Sequence, residues 1–144
     1  MISIRTSSLM RSVIVAIILQ AAVSAQVGPK PVAANLCDVV ASPAEYDNKV
    51  LSVEGVLSPG EHSLALYGPS CPAREGVNLR TQAVLPPEWE SLRNGKQLRK
   101  FLKHGKKARV RLSGMFDSKD GPYGPDGAMF RFVISEISSV EPAK

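Results

Sequence analysis

Two stretches far apart in the chain, VLSVEGVL (50–57) and ARVRLSGMF (108–116), follow one template. Apolar and polar residues alternate, and a glycine stands just before a closing apolar pair. In the second stretch Ala108, Val110 and Leu112 fall on one side and Arg109, Arg111 and Ser113 on the other. Such period-2 alternation is the pattern of a half-buried strand. Glycine near the end of such a strand marks a bulge or a tight bend, as at a barrel corner.

The remaining elements fall between and around these two. HSLALYG (62–68), bounded by Pro59-Gly60 and Gly68-Pro69, and VNLRTQAVL (77–85) read as strands, and MFRFVISEISSV (129–140) as the last one. NLCDVVASPAEYDNK (35–49) reads as a short helix broken before Pro43, then a turn at Pro43–Tyr46 closed by Asp47-Asn48. Pro86-Pro87 opens a further helical segment, Pro87 being suited to a first helical position. At 100° per residue Leu98, Phe101 and Leu102 share one face, whereas Trp89 and Leu92 project from the opposite side. A break at Asn94-Gly95 reconciles the two phases. The expectation is therefore a turn of helix at 87–93 and a helix at 96–104, ended by Gly105.

Five strands with a helix between the third and fourth is the order of an OB-fold barrel. The expected fold is mainly β with one or two helices, a five-stranded OB-like β-barrel. On Pro43, Tyr46, Lys49, Val50, Val53 and Gly55 of SPAEYDNKVLSVEGVL, the ARVRLSGMF echo and its two cysteines, the chain resembles small extracytoplasmic bacterial domains of OB-like type. The resemblance covers most of 37–141. It implies a fold and a compartment, and no catalytic residue.

The first residues read as an address. Arg5 and Arg11 supply a positive start, SVIVAIILQAAV (12–23) an apolar run, and VSA (23–25) a small-residue cleavage site after Ala25. The expected division is a signal peptide at 1–25, a flexible lead-in at 26–36 and one domain at 37–141, exported to the periplasm or beyond the cell. In an oxidising compartment an even pair of cysteines, Cys37 and Cys71, reads as a disulfide. Neither lies in a CxxC, and His62 has no partner at metal-ligand spacing, so no metal and no cofactor is expected.

Charge is distributed unevenly. Without Arg5 and Arg11 the chain keeps 16 basic and 13 acidic residues, and nine of the basic ones fall between Arg93 and Arg111 with no acid among them. The rest of the chain is net acidic. On the 96–104 helix Lys96, Lys100 and Lys103 form a stripe opposite Leu98 and Phe101, as on a surface helix whose apolar side packs on a core. A merely solvated face does not need nine like charges, since mixed signs repel less. The expected binding surface is Lys96, Arg99, Lys100, Lys103, Lys106, Lys107, Arg109 and Arg111. Its partner would be anionic: an envelope glycan, a lipid headgroup surface or a nucleic acid. Export favours envelope polymers and lipids over nucleic acid. So does the shortage of stacking platforms, Tyr67 being the one aromatic on the second and third strands, with His62 and Arg80 as neighbours.

A second class of function is a structural or protein–protein domain of the envelope, using the barrel rim around Tyr67 and Tyr123. Calcium at Asp117, Asp120 and Asp126 lacks EF-hand spacing, because Lys119 takes the second ligand position and turn chemistry explains the aspartates. Catalysis finds little support: His62 and His104 lie in no nucleophile or metal motif, and Glu88 and Glu90 sit where a helix start favours acids.

Overall fold

The structure is a computed structural model that describes residues 28–71 and 80–144. The expected signal peptide at 1–25 and the first three residues of the expected 77–85 strand lie outside the described residues. In chain order the elements are β1 (Val32–Ala33), α1 (Leu36–Ala41), α2 (Pro43–Tyr46), β2 (Val50–Pro59), β3 (Leu64–Tyr67) and β4 (Thr81–Val84). A 3₁₀ turn (Trp89–Ser91), α3 (Gly95–Leu102), β5 (Ala108–Asp117) and β6 (Phe130–Pro142) follow.

β2 runs antiparallel to β3, and β3 to β4. β4 is parallel to β6, β6 antiparallel to β5, and β5 returns to β2. The five strands thus close on themselves, with α3 in the connection between the third and fourth of them, as an OB-like barrel requires. Closure leaves open edges among those five where β6 outruns β4, beyond Val133, and where β2 outruns β3. There β1 pairs with it in parallel, Val32 opposite Leu51 and Ala33 opposite Ser52. Part of the expected flexible lead-in is therefore a sixth, two-residue strand.

Alternation places the core. Leu51, Val53 and Leu57 of β2, and Ala108, Val110 and Leu112 of β5, are buried, while Arg109 and Arg111 are exposed. Ser113 departs from the expected outward side and is buried. The register of β5 against β6 shifts on both sides of it, and Ser135 Oγ donates to its carbonyl at 3.1 Å. Gly114 follows, where a Cβ would lie 2.2 Å from the Val133 carbonyl oxygen. The barrel bends here because the two backbones come within a distance that only glycine allows.

The short helices close the ends. Asn35 caps α1, its Oδ1 accepting the Cys37 N–H at 2.8 Å, and Leu36, Val39 and Val40 point into the core at helical spacing. Asn94 takes a left-handed φ of 63° before α3, which is where the phase break demanded a stop. Gly105, also left-handed at φ 63°, ends the helix and its last turn. Leu98 is fully buried, and Phe101, Leu102 and Trp89 pack partly buried against the same core. The Cys37–Cys71 disulfide, with Cα atoms 5.1 Å apart, ties α1 to the segment after β3. A cross-link spanning 34 residues stabilises a fold by about 3–4 kcal/mol in the chain-entropy picture.

Candidate functional site

Two amides hold α3 so that its lysines face out. Asn94 Nδ2 donates to the carbonyls of Ile137 and Ser138 at 3.0 and 2.9 Å, and Gln97 Nε2 to that of Val140 at 2.8 Å. Each amide meets carbonyls of the last barrel strand, which docks one side of the helix and leaves Lys96, Arg99, Lys100 and Lys103 exposed. A groove of about 900 Å³ runs between the 3₁₀ turn and the helix, with Lys96 and Lys100 on its lining and Phe101 beneath. Past Gly105 the chain turns into β5 through Lys106 and Lys107, and Arg109 and Arg111 continue on the outward face of that strand.

The eight expected ligand residues are not equivalent. Arg99 is taken by Glu90 at 3.0 Å, and Arg111 by Glu54, which stands opposite it across β2 and β5. Both pairs are exposed, so each contributes at most about 1 kcal/mol and remains available to a stronger anion. Glu90 was expected only to favour a helix start; it also neutralises part of the patch. Lys96, Lys100, Lys103, Lys106, Lys107 and Arg109 have no acidic partner among the described residues. Lys107 instead lies over the Tyr67 ring, 5.8 Å from its centroid, at the outer limit of a cation–π contact.

Through Tyr67 the basic segment reaches a second concavity. A cleft of about 440 Å³ lies over β3 and β4, with Tyr67, Arg80, Gln82 and Ser63 on its lining. Ser63 Oγ donates to Asp126, joining the loop after β2 to the loop before β6 across 63 residues. Thr81 also lines this cleft, and its Oγ1 is buried without a hydrogen-bond partner among the described residues. Of the two expected neighbours of Tyr67, Arg80 shares this cleft, just before β4, and His62 is not on its lining. Thr81 and the Ser63–Asp126 link were not legible in the sequence, because their meaning depends on which side of β4 faces in and on how two distant loops meet.

The other expected rim residue, Tyr123, turns inward and is buried. Its hydroxyl donates to Asp117 at 2.6 Å and accepts from the Asp120 N–H at 3.0 Å, while the Arg131 guanidinium lies 4.7 Å from its ring centroid. The Tyr123 hydrogen bond, with that from Arg131, holds the Asp117 carboxyl below its ordinary value, and burial pushes the Tyr123 hydroxyl up. The three aspartates of this loop are divided: Asp117 meets Tyr123 and Arg131, Asp126 accepts from Ser63, and Asp120 is exposed. Among the described residues no three of His, Cys, Asp and Glu come close enough together to hold a metal ion. His62 is exposed beside Glu61 at 3.7 Å, and His104 is exposed in the turn after α3.

No helix among the described residues is long and apolar enough to cross a membrane. Comparison with known proteins finds no matching family model, no matching curated protein and no matching solved structure.

Proposed function

We propose that this chain is an exported, non-catalytic binding module that holds an anionic envelope polymer along α3 and the start of β5. The observation that carries the reading is the row of six cations, Lys96, Lys100, Lys103, Lys106, Lys107 and Arg109, exposed and without acidic partners among the described residues. A field of one sign steers an anion to the surface and raises its rate of encounter. Lys and Arg then make charge-assisted hydrogen bonds to carboxylate or phosphate. An anionic glycan fits best of the polymer classes. The row leads through Lys107 to Tyr67, and the Tyr67 cleft is lined by side chains that hydrogen-bond hydroxyls: Arg80, Gln82, Ser63 and Asp126. A single aromatic gives a nucleic acid one base platform, too few for a strand of bases. Lipid insertion would want apolar side chains beside the lysines, and the large exposed ones among the described residues are Val32, Tyr67, Met115 and Met129, none of them on α3.

The test is binding of the purified protein to polygalacturonate, to anionic lipid vesicles and to single-stranded DNA. A variant with Lys100, Lys103, Lys107 and Arg109 changed to Gln runs beside it. Binding to polygalacturonate that weakens at least about tenfold in the variant supports the reading. Preference for vesicles or DNA reassigns the polymer, and binding unchanged in the variant removes the basic row from the function.

A further inference from the structure

One edge of β2 passes between two neighbours without being filled. β1 pairs with it at Leu51 and Ser52, and β3 takes up the same edge from Val56 onward. Val53, Glu54 and Gly55 between them have no strand opposite on that side among the described residues. The direction of their backbone groups follows from one hydrogen bond. The Ala34 N–H donates to the Ser52 carbonyl at 3.0 Å, so Ser52 faces this edge. Backbone groups alternate along a strand, so the Glu54 N–H and C=O face the same edge while those of Val53 face β5. The pairing across β5 agrees: Glu54 and Arg111 are directly opposite and their side chains meet, as in a pair that does not exchange backbone bonds.

A cleft of about 700 Å³ lies over this notch. It is bounded by Asn35 and Cys37 at the start of α1, by Gly68 and Ser70 after β3, and by Arg109 and Arg111 of β5. The Cys37–Cys71 bond links the first two boundaries. Its charges are few and definite. The Glu54 carboxylate occupies Arg111, which leaves the Arg109 guanidinium, opposite Val56 on β2 and Glu141 on β6, in no ion pair among the described residues.

We propose that the notch binds the C-terminal end of an extended peptide. The peptide lies along β2 in the direction of β1, exchanges backbone hydrogen bonds with Glu54, and sets its terminal carboxylate on Arg109. An extended backbone is the ligand that answers both a donor and an acceptor at strand spacing. A bare phosphate or carboxylate would leave the Glu54 carbonyl without a donor. A guanidinium at the end of the notch suits one carboxylate, which it can hold through two parallel N–H···O bonds. Arg109 is shared with the cation row, but the peptide site stands on the free edge of β2 at Glu54 and does not rest on the polymer reading.

Backbone and side-chain amide spectra of the isotope-labelled protein test it. The probes are acetyl-Val-Ala-Val with a free C-terminus, the same peptide as its C-terminal amide, and inorganic phosphate. The free acid is expected to give saturable shifts at the Glu54 N–H and the Arg109 Nε–H, and the amide to bind at least about tenfold more weakly. Arg109→Gln should cost the same factor for the free acid. Lys100→Gln with Lys103→Gln, which depletes the lysine row, should leave the peptide untouched and so separates this site from the polymer surface. The proposal is overturned by any of four results. These are no saturable shift at Glu54, equal binding of acid and amide, indifference to Arg109→Gln, or phosphate reproducing the peptide's shifts.

Discussion

Gly114 and Asp47 represent two kinds of residue that hold this barrel, one legible in the sequence and one hidden from it. Gly114 stands where an alternating stretch ends, and that position alone announces a bend. In the structure a Cβ there would lie 2.2 Å from the Val133 carbonyl oxygen and 2.7 Å from Phe132 Cε1. Backbone cannot yield as a flexible side chain can, so Gly114→Ala should destabilise the fold by about 1–3 kcal/mol in denaturant titration. Asp47 gives no such local sign. Its carboxylate, 3% exposed, accepts the Ser118 N–H and hydroxyl at 2.9 Å and meets Lys119 Nζ at 2.9 Å, across 71 residues of sequence. The backbone bond from Ser118, followed by Lys119, holds its pKa below the ordinary 3.8. A carboxylate depressed on folding adds stability above its unfolded pKa, and that share disappears as pH falls through the folded value. Asp47→Asn should therefore be less stable than the parent near neutrality, with the difference shrinking below about pH 4, as unfolding midpoints on either side of that value would record.

At the scale of elements, the basic helix is the informative case. Its start was readable because Trp89 and Leu92 fall out of phase with Leu98, Phe101 and Leu102, and Asn94-Gly95 is the one place where the phase can reset. What the periodicity does not contain is the means of attachment. Asn94 spans two carbonyls of β6 with one amide, and no pattern in either segment marks that meeting. Asn94→Ala would remove the donor and force alanine into a left-handed φ, which together should cost about 2–4 kcal/mol by thermal or chemical unfolding. Asn94→Gly also loses the amide but avoids the backbone strain, so it should recover part of that loss; equal losses would mean that the left-handed φ contributes nothing, and full recovery that the amide contacts contribute nothing. The strand β1 lies at the other extreme. Two residues are too few to show a period, so Val32 and Ala33 read as lead-in until β2 supplies their partner.

For the molecule as a whole, topology was accessible because it depends on order, and order survives errors of several residues at element ends. The distribution of charge was accessible as a count, but the pairing of charges was not. Arg99 and Arg111 belong to the basic segment in sequence and to Glu90 and Glu54 in space. Of the eight expected ligand residues six remain, and they set the size of the effect that the proposed surface can have. If they hold a polymer by displacing its counterions, affinity must fall steeply with salt, and the slope counts the contacts. The decisive measurement is the salt dependence of polygalacturonate binding, taken in parallel on the parent and on the variant with Lys100, Lys103, Lys107 and Arg109 changed to Gln. The parent should show a steep fall in affinity with rising ionic strength, and the variant a slope shallower by the share of contacts it has lost. Identical slopes, or parent binding indifferent to salt, would contradict an anionic-polymer surface and leave the lysine row as a solvated face of the barrel.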